Sequence, residues 1–212
     1  MGNISALRKE LENGGLDERL CRLGCLDPAQ VPETARERVR RVVAGFQAVF
    51  QKGEDAQAAL LSAPGRTEIC GNHTDHQRGR VLAASVNLDF LACASANGSQ
   101  VIRFQSEGWP MVEVDLGLKS IPEEEKETTA SLVRGVAAKI QDMGYKVEGF
   151  DAYAVSDVLP GSGLSSSAAC EVLLGVIVNH LFCHDELNAV QIAQIGQFAE
   201  NVYFGKPSGL MD

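Results

Sequence analysis

Residues 159–182 constrain the fold of this chain most strongly, because they join a glycine-serine loop to a stretch that is apolar on nearly every side. The loop and the start of the stretch read L-P-G-S-G-L-S-S-S-A-A-C-E. Residues 166–182 have the length and composition of a helix, and a helix without a polar face packs in the centre of a protein. The sequence therefore predicts a loop that is held in place by a buried helix.

The glycine-serine loop also has the features of a phosphate-binding site. Its glycines lack a Cβ and let a ligand approach the backbone, and the first N–H groups of a helix have no partner within the helix. The residues assigned to this site are Gly161, Ser162, Gly163, Leu164, Ser165, Ser166 and Ser167. The spacing differs from that of P-loops and Rossmann loops. A polar loop with a serine N-cap is the alternative; two glycines, three serines and an immediate helix favour phosphate.

A second group of polar residues lies at 64–79, between apolar stretches. Seven of these sixteen residues are candidates for ligand contacts: Arg66, Glu68, Asn72, His73, Asp75, His76 and Arg78. Side chains with both donors and acceptors suit a polyhydroxylated ligand. A metal site at 73–76 is an alternative, although nothing nearby in the sequence supplies a third carboxylate or thiolate with zinc geometry. A plain solvated turn accounts poorly for so many polar residues.

The composition is that of an ordinary globular chain, with 45% apolar and 22% charged residues among 212. The formal net charge of −9 argues against nucleic acid or an anionic membrane as the main partner. No secretory signal or membrane-spanning stretch is visible. Six scattered cysteines are expected to be reduced, buried or half-buried thiols of a cytoplasmic protein. The spacing of Cys21 and Cys25 is weak evidence for zinc, and the oligomeric state is not predicted.

Hydrophobic periodicity predicts an α+β protein. Helices are expected at 5–25, 33–51, 129–143, 166–182 and 185–203. Strands are expected at 59–62, 81–87, 90–94, 101–105, 111–115 and 147–158. The first five strands follow one another without intervening helices, so neighbouring antiparallel strands are expected.

Three segments, in this order, resemble the galactokinase branch of the superfamily of galactokinase, homoserine kinase, mevalonate kinase and phosphomevalonate kinase. Residues 65–75 are similar to its sugar-binding signature, residues 159–169 to its ATP loop, and residues 207–212 to its P-x-G-[IL]-M-D segment. The resemblance implies a ribosomal protein S5 domain 2-like domain at 58–212, with a mixed, largely antiparallel sheet and packed helices. Residues 1–57 would then be a helical N-terminal extension.

The resemblance also implies roles for individual residues. Asp212 takes the place of the catalytic aspartate beside the anomeric hydroxyl, and Arg66 that of the arginine that bridges it to the γ-phosphate. Ser167 and Glu200 match ligands of Mg²⁺, and Ser106 matches, less distinctively, a serine near the nucleotide. The implied sugar contacts are Asn72, His73, Thr74, Asp75 and Gly209.

The implied activity is ATP-dependent phosphorylation of a sugar, with galactose as the leading substrate. Asn72 stands where the family usually has Glu, and Thr67 and Glu68 stand where an Asn is usual, so a related sugar such as an N-acetylhexosamine stays open. A galactose- and ATP-responsive regulator is the alternative outside enzymes. Family members continue into a second domain beyond the aspartate, so the chain is expected to be an N-terminal portion. We expect it to have little activity alone, because water would reach the cleft.

Overall fold

A mixed β-sheet lies between two layers of helices in the computed structural model, which describes residues 2–24, 33–118, 122–159 and 161–211. The strands are β1 (Gly2–Asn3), β2 (Gln57–Cys70), β3 (Leu82–Ala96), β4 (Val101–Ser106), β5 (Val112–Asp115) and β6 (Phe150–Ser156). The helices are α1 (Ile4–Glu12), α2 (Asp17–Gly24), α3 (Glu33–Phe50), α4 (Thr129–Asp142), α5 (Ser166–Phe182) and α6 (Ala189–Phe198). Short 3₁₀ turns occupy Asp75–Gln77 and Glu123–Glu125, and a π-helical turn, Ala199–Phe204, extends α6.

The described strands are ordered β1-β2-β3-β6-β4-β5. Every pair is antiparallel except β4 with β6, so the prediction of a mixed, largely antiparallel sheet is confirmed. The predicted strands at 81–87 and 90–94 are one strand, β3, of 15 residues, and β2 runs for 14 residues. Because β2 continues through residues 64–70, Arg66 lies on a strand, opposite Ser85.

Alternate residues of the central strands face the two helical layers. On one face, Ala92 and Phe150 pack with α4, α5 and α6, and on the other, Leu91 and Val155 pack with α1 and α3. Helix α5 lies in the first layer with most of its residues buried, as its composition predicts. Apolar contacts therefore hold the start of α5 against the sheet.

Two of the predicted helices differ from those of the structure. The predicted helix at 5–25 is divided into α1 and α2 at residues 13–16, where Gly14 has a φ of 75°, which favours glycine. The predicted helix at 185–203 begins only at Ala189, because Asn188 and Gln191 form a capping box there. Cys25, part of the weak zinc pattern, lies outside the described residues.

The described cysteines are free thiols: Cys21, Cys70, Cys93, Cys170 and Cys183. Burial raises the pKa of Cys93 to about 12, which keeps that thiol protonated and unreactive at neutral pH. Cys70 is exposed, contrary to the expectation of buried or half-buried cysteines. In the part of the chain that the structure describes, no helix has the length and apolar character needed to cross a membrane.

A fully buried carboxylate, that of Asp151, joins the sheet to α3. It accepts hydrogen bonds from Arg103 Nε and Nη2 at 2.8 and 2.9 Å and from Asn97 Nδ2 at 2.8 Å, and Lys52 Nζ lies 2.8 Å away. Burial raises the pKa of Asp151, but the hydrogen bonds from Arg103, Asn97 and Lys52 outweigh burial and hold it below its usual value. The carboxylate therefore stabilises the fold in its charged form.

We expect Asp151→Asn to lower the free energy of unfolding by about 3 kcal/mol at pH 7, because Arg103 and Lys52 lose their buried partner. The difference should persist down to the unfolded-state pKa of about 3.9 and then decrease as the pH falls through the lower native pKa. Denaturant unfolding of both proteins across this pH range measures it. Glu107→Gln, which removes an exposed pair with Arg41, is the control and should change stability by less than about 0.5 kcal/mol. Equal stability of Asp151→Asn and the native chain at pH 7 would contradict the assignment.

Candidate functional site

The three motifs of the sequence analysis meet at one cleft of about 870 Å³, between the ends of β2 and β3 and the start of α5. Arg66 and Asp75 come from the first motif, Ser165 from the glycine-serine loop and Met211 from the last segment. Asp212, the predicted catalytic residue, lies outside the described residues.

Arg66 is the residue that connects these motifs. Its Nε donates to Met211 O at 2.8 Å and its Nη1 to Gly163 O at 3.1 Å, while Nη2 lies 3.4 Å from His73 Nε2. The backbone N–H of Arg66 also donates to Leu164 O at 3.2 Å. A planar guanidinium can make these contacts together because its donors point in fixed, divergent directions.

Asp75 and Gly209 fix the last segment against the loop after β2. Asp75 Oδ2 accepts from the backbone N–H of Met211 at 2.8 Å. A side chain at Gly209 would overlap the Asp75 carboxylate, so only glycine allows this approach. Burial raises the pKa of Asp75, but the N–H of Met211 and other backbone donors, with nearby His73, bring it below its usual value. Asp75 is therefore a carboxylate at neutral pH.

The loop after β2 has an uncommon backbone. Asn72 and His73 both have a φ of 53°, a left-handed conformation that few residues other than glycine adopt. Glu68 Oε1 accepts from the His73 N–H at 3.1 Å, and Thr74 Oγ1 donates to Gly71 O at 2.8 Å. Thr74, a predicted sugar contact, uses its hydroxyl to close this loop, and Asn72 is exposed. In the sequence, Glu68 is only one of several polar candidates at 64–79, and no pattern there predicts its contact with the His73 backbone.

Ser165 of the glycine-serine loop is the N-cap residue of α5, but it does not cap the helix through its side chain. Ser165 is left-handed, with φ 52° and ψ 65°, and its side chain makes no capping hydrogen bond. The alternative of a capping serine is therefore wrong for Ser165. Gly161 and Gly163 have φ values of 74° and 77°, which glycine adopts without strain. The Ser162 hydroxyl donates to Leu159 O at 2.6 Å and stabilises the turn.

Ser167 and Glu200 lie together, as the resemblance implies. Ser167 Oγ donates to Glu200 Oε1 at 3.4 Å, and Lys206 Nζ lies 3.1 Å from the same oxygen. Glu200 is only 2% exposed. A buried carboxylate next to a hydroxyl is a donor set of the kind that Mg²⁺ prefers. No sequence pattern predicts this position of Lys206, since a lysine in a loop carries no signal of its own.

Ser106 lies away from these groups. It ends β4, is paired with Ala154 of β6, and accepts the backbone N–H of Trp109 through its carbonyl oxygen at 3.0 Å. In the described part of the chain it is not among the residues that line the cleft. Its assignment to the nucleotide stays a prediction.

Two known sequence families match this chain. The family described as "GHMP kinases N terminal domain" matches residues 131–212, and the "Galactokinase galactose-binding signature" matches residues 44–96. The first match contains the glycine-serine loop and the last segment, and the second contains the loop after β2. The two matches therefore cover the residues that meet at the cleft.

Individual proteins give the same result. Galactokinase from Clostridium tetani is 33% identical over 160 residues, which are 76% of this chain and 40% of that protein. Galactokinase from Streptococcus mutans is 32% identical over 169 residues, 79% of this chain and 42% of that protein. This chain thus spans about two fifths of the length of these relatives.

Solved structures agree in fold. The crystal structure of Lactococcus lactis galactokinase complexed with galactose superposes with a TM-score of 0.73 and 29% sequence identity, covering 82% of this chain and 45% of that one. A mevalonate kinase structure has a TM-score of 0.56 at 15% identity, which supports the fold alone.

We expect Gly209→Ala to displace the Asp75 carboxylate and break its hydrogen bond with the Met211 N–H. The stability cost should be about 1.5–3 kcal/mol, the range for a hydrogen bond to a charged group. Hydrogen exchange at the Met211 amide should become faster. Gly53→Ala is the control, since no atom of the described residues lies within 4 Å of a Cβ built there. An unchanged Met211 exchange rate in Gly209→Ala would show that Gly209 does not set this contact.

Proposed function

Because this chain belongs to the galactokinase branch of the GHMP kinases, we propose that it carries the catalytic cleft of an ATP-dependent galactokinase. In this reaction the anomeric oxygen of galactose attacks the γ-phosphorus, the bond from that phosphorus to the bridging oxygen breaks, and ADP leaves. The hydroxyl proton passes to Asp212 or to solvent. The observation that carries the proposal is Arg66, whose guanidinium contacts both the glycine-serine loop and the residue before Asp212.

The placement of Arg66 supports a role in charge stabilisation. Phosphoryl transfer needs positioning and electrostatic stabilisation more than covalent help. A guanidinium between a phosphate loop and a carboxylate can neutralise charge on the transferring group and keep the carboxylate ionised. The two carbonyl oxygens that Arg66 contacts hold it in that position before any substrate binds.

The loop after β2 supports a sugar pocket. The Asp75 carboxylate and the His73 imidazole lie side by side, with 3.4 Å between Oδ1 and Nδ1. An acceptor and a group that can donate, at that separation, can serve neighbouring sugar hydroxyls. Asn72, exposed beside them, offers an amide, which both donates and accepts. Galactose is the proposed sugar, and its binding is to be compared with that of a panel of related hexoses.

Ser167 and Glu200 would hold Mg²⁺, since both are oxygen donors and Glu200 is buried. When bound, the ion supplies positive charge to the phosphate oxygens of ATP. Lys206 Nζ places a positive charge beside Glu200 already in this structure. Glu200 is therefore a buried carboxylate that already pairs with a cationic group in the folded chain.

Arg66→Lys tests the proposal. The point charge of lysine cannot contact Gly163 O and Met211 O together, so we expect kcat for galactose phosphorylation to fall about 100-fold, as when a preorganised donor is removed. A coupled ADP-release assay, run on this chain and on any longer form that its gene encodes, measures the effect. Arg78→Lys changes an exposed arginine on the same loop and should keep the native rate. Equal rates for the two variants would contradict the role of Arg66.

Asp212→Asn separates a kinase from a regulator. A kinase should lose about 100-fold or more in kcat with this change and keep its affinity for ATP. A galactose- and ATP-responsive regulator would bind both ligands and keep its response. If calorimetry shows that galactose does not bind but another hexose does, that hexose is the substrate and galactose is not.

We expect Glu200→Gln to lower the affinity of the ATP site for Mg²⁺, because an amide has no charge to hold the cation. The concentration of Mg²⁺ needed for half-maximal ATP binding should rise about 10-fold or more. Titration of ATP binding with Mg²⁺ measures it. Glu18→Gln, which alters an exposed pair with Arg22, is the control. An unchanged Mg²⁺ requirement in Glu200→Gln would remove Glu200 from the metal site.

A further inference from the structure

His73, Asp75 and His76 form a second group of possible metal ligands, separate from Ser167 and Glu200. Each offers one ligand atom, and these atoms lie within 4.8 Å of one another. Asp75 and His76 belong to one 3₁₀ turn, and His73 precedes it in a left-handed conformation with its Nδ1 3.4 Å from Asp75 Oδ1. The His73 and His76 ring centroids are 6.0 Å apart. The backbone of the loop therefore brings two imidazoles and a carboxylate to one point.

The spacing of these atoms fits zinc. Bonds of about 2.0–2.1 Å in a tetrahedral site place ligand atoms about 3.3–3.4 Å apart. His73 Nδ1 and Asp75 Oδ1 are already 3.4 Å apart. His76 is exposed and can rotate to shorten its distance to the other two. Two of the three ligands are therefore in position, and the third is free to move.

Asp75 supplies an independent observation that a ligand belongs here. Its side chain is 10% exposed, and its Oδ2 is fixed by the Met211 N–H. Its Oδ1 is buried and makes no hydrogen bond of good geometry with the described residues, although His73 Nδ1 lies 3.4 Å from it. A buried carboxylate oxygen with so weak a partner is a position that a bound ion, a ligand or water can satisfy.

The chemistry of the group selects the ion. Imidazole is a good ligand for Zn²⁺, and Mg²⁺ prefers oxygen donors in octahedral geometry. We propose that His73, Asp75 and His76 bind a Zn²⁺ ion through three protein ligands, with a fourth position open to the cleft. The ion would share His73 and Asp75 with the proposed sugar pocket, so zinc and sugar would exclude each other. This competition rests on the proposed function, but the zinc site itself does not.

Arg66 is coupled to this site. A guanidinium only donates, so its Nη2 makes His73 Nε2 the acceptor and leaves the ring proton on Nδ1. When zinc binds Nδ1, the ring proton moves to Nε2. Nε2 is then a donor that faces another donor, Arg66 Nη2. Arg66 has to turn away from His73 when zinc binds. Zinc would therefore act on the phosphate side of the cleft as well as on the sugar side.

Titration calorimetry with Zn²⁺ at neutral pH, with millimolar Mg²⁺ in both solutions, tests the site. We expect one Zn²⁺ per chain, and His76→Gln should weaken binding about 10-fold or more. His76 is exposed and, unlike His73 and Asp75, is not one of the sugar contacts that the resemblance implies, so this variant should keep its fold and its affinity for galactose. His184→Gln and Cys70→Ser are the controls, as they remove another histidine and the exposed thiol next to the loop. Cobalt in place of zinc should give the visible absorption of a tetrahedral site.

Native zinc affinity in His76→Gln, or loss of binding in either control, would overturn the site. Galactose should raise the apparent dissociation constant for zinc in the native chain. If galactose has no effect and His76→Gln still abolishes zinc binding, the zinc site stands and the sugar pocket at His73 and Asp75 is wrong. The two proposals can therefore fail separately.

Discussion

The contacts of Arg66 are the interaction on which the rest of the site depends. A single side chain on β2 reaches the glycine-serine loop through Gly163 and the last segment through Met211. These segments are 97 and 145 residues away in sequence. A polar loop could otherwise satisfy its carbonyl oxygens with water and vary in position. Because one guanidinium binds both carbonyls, moving either segment breaks a hydrogen bond to a charged group. These bonds therefore maintain the shape of the cleft.

The fold fixes both the strand that carries Arg66 and the helix that follows the glycine-serine loop. Arg66 is on a strand whose partner β3 is itself central in the sheet, and α5 is buried at Leu173 and Ile177 against the same sheet. Helix α3 covers the opposite face, where Asp151 ties it to the sheet through Lys52. The described residues before 57 therefore form the helical layer on one face of the sheet. Their boundary as a separate extension stays a prediction.

The sequence was sufficient for features that depend on composition and local pattern. The apolar residues of 166–182 predict α5 to the residue, since a helix apolar on all sides has one possible environment. The length of β2 was missed, because Pro64, Gly65 and the polar residues after them read as a turn. Pairing with β3 overrides that preference. Lys206 and the backbone of Met211 could not be found, since their roles come from contacts that only the folded chain creates.

The loop after β2 shows how the chain supports a strained conformation for function. Each left-handed residue other than glycine costs on the order of 1 kcal/mol or more, and Asn72 and His73 adopt it in succession. Glu68 and Thr74 offset that cost through hydrogen bonds to His73 N and Gly71 O. In this conformation the His73 ring lies 3.4 Å from the Arg66 guanidinium on one side and 3.4 Å from the Asp75 carboxylate on the other. The strained loop thus places an imidazole between a guanidinium and a carboxylate, and the proposed sugar pocket and the proposed zinc site both use that placement.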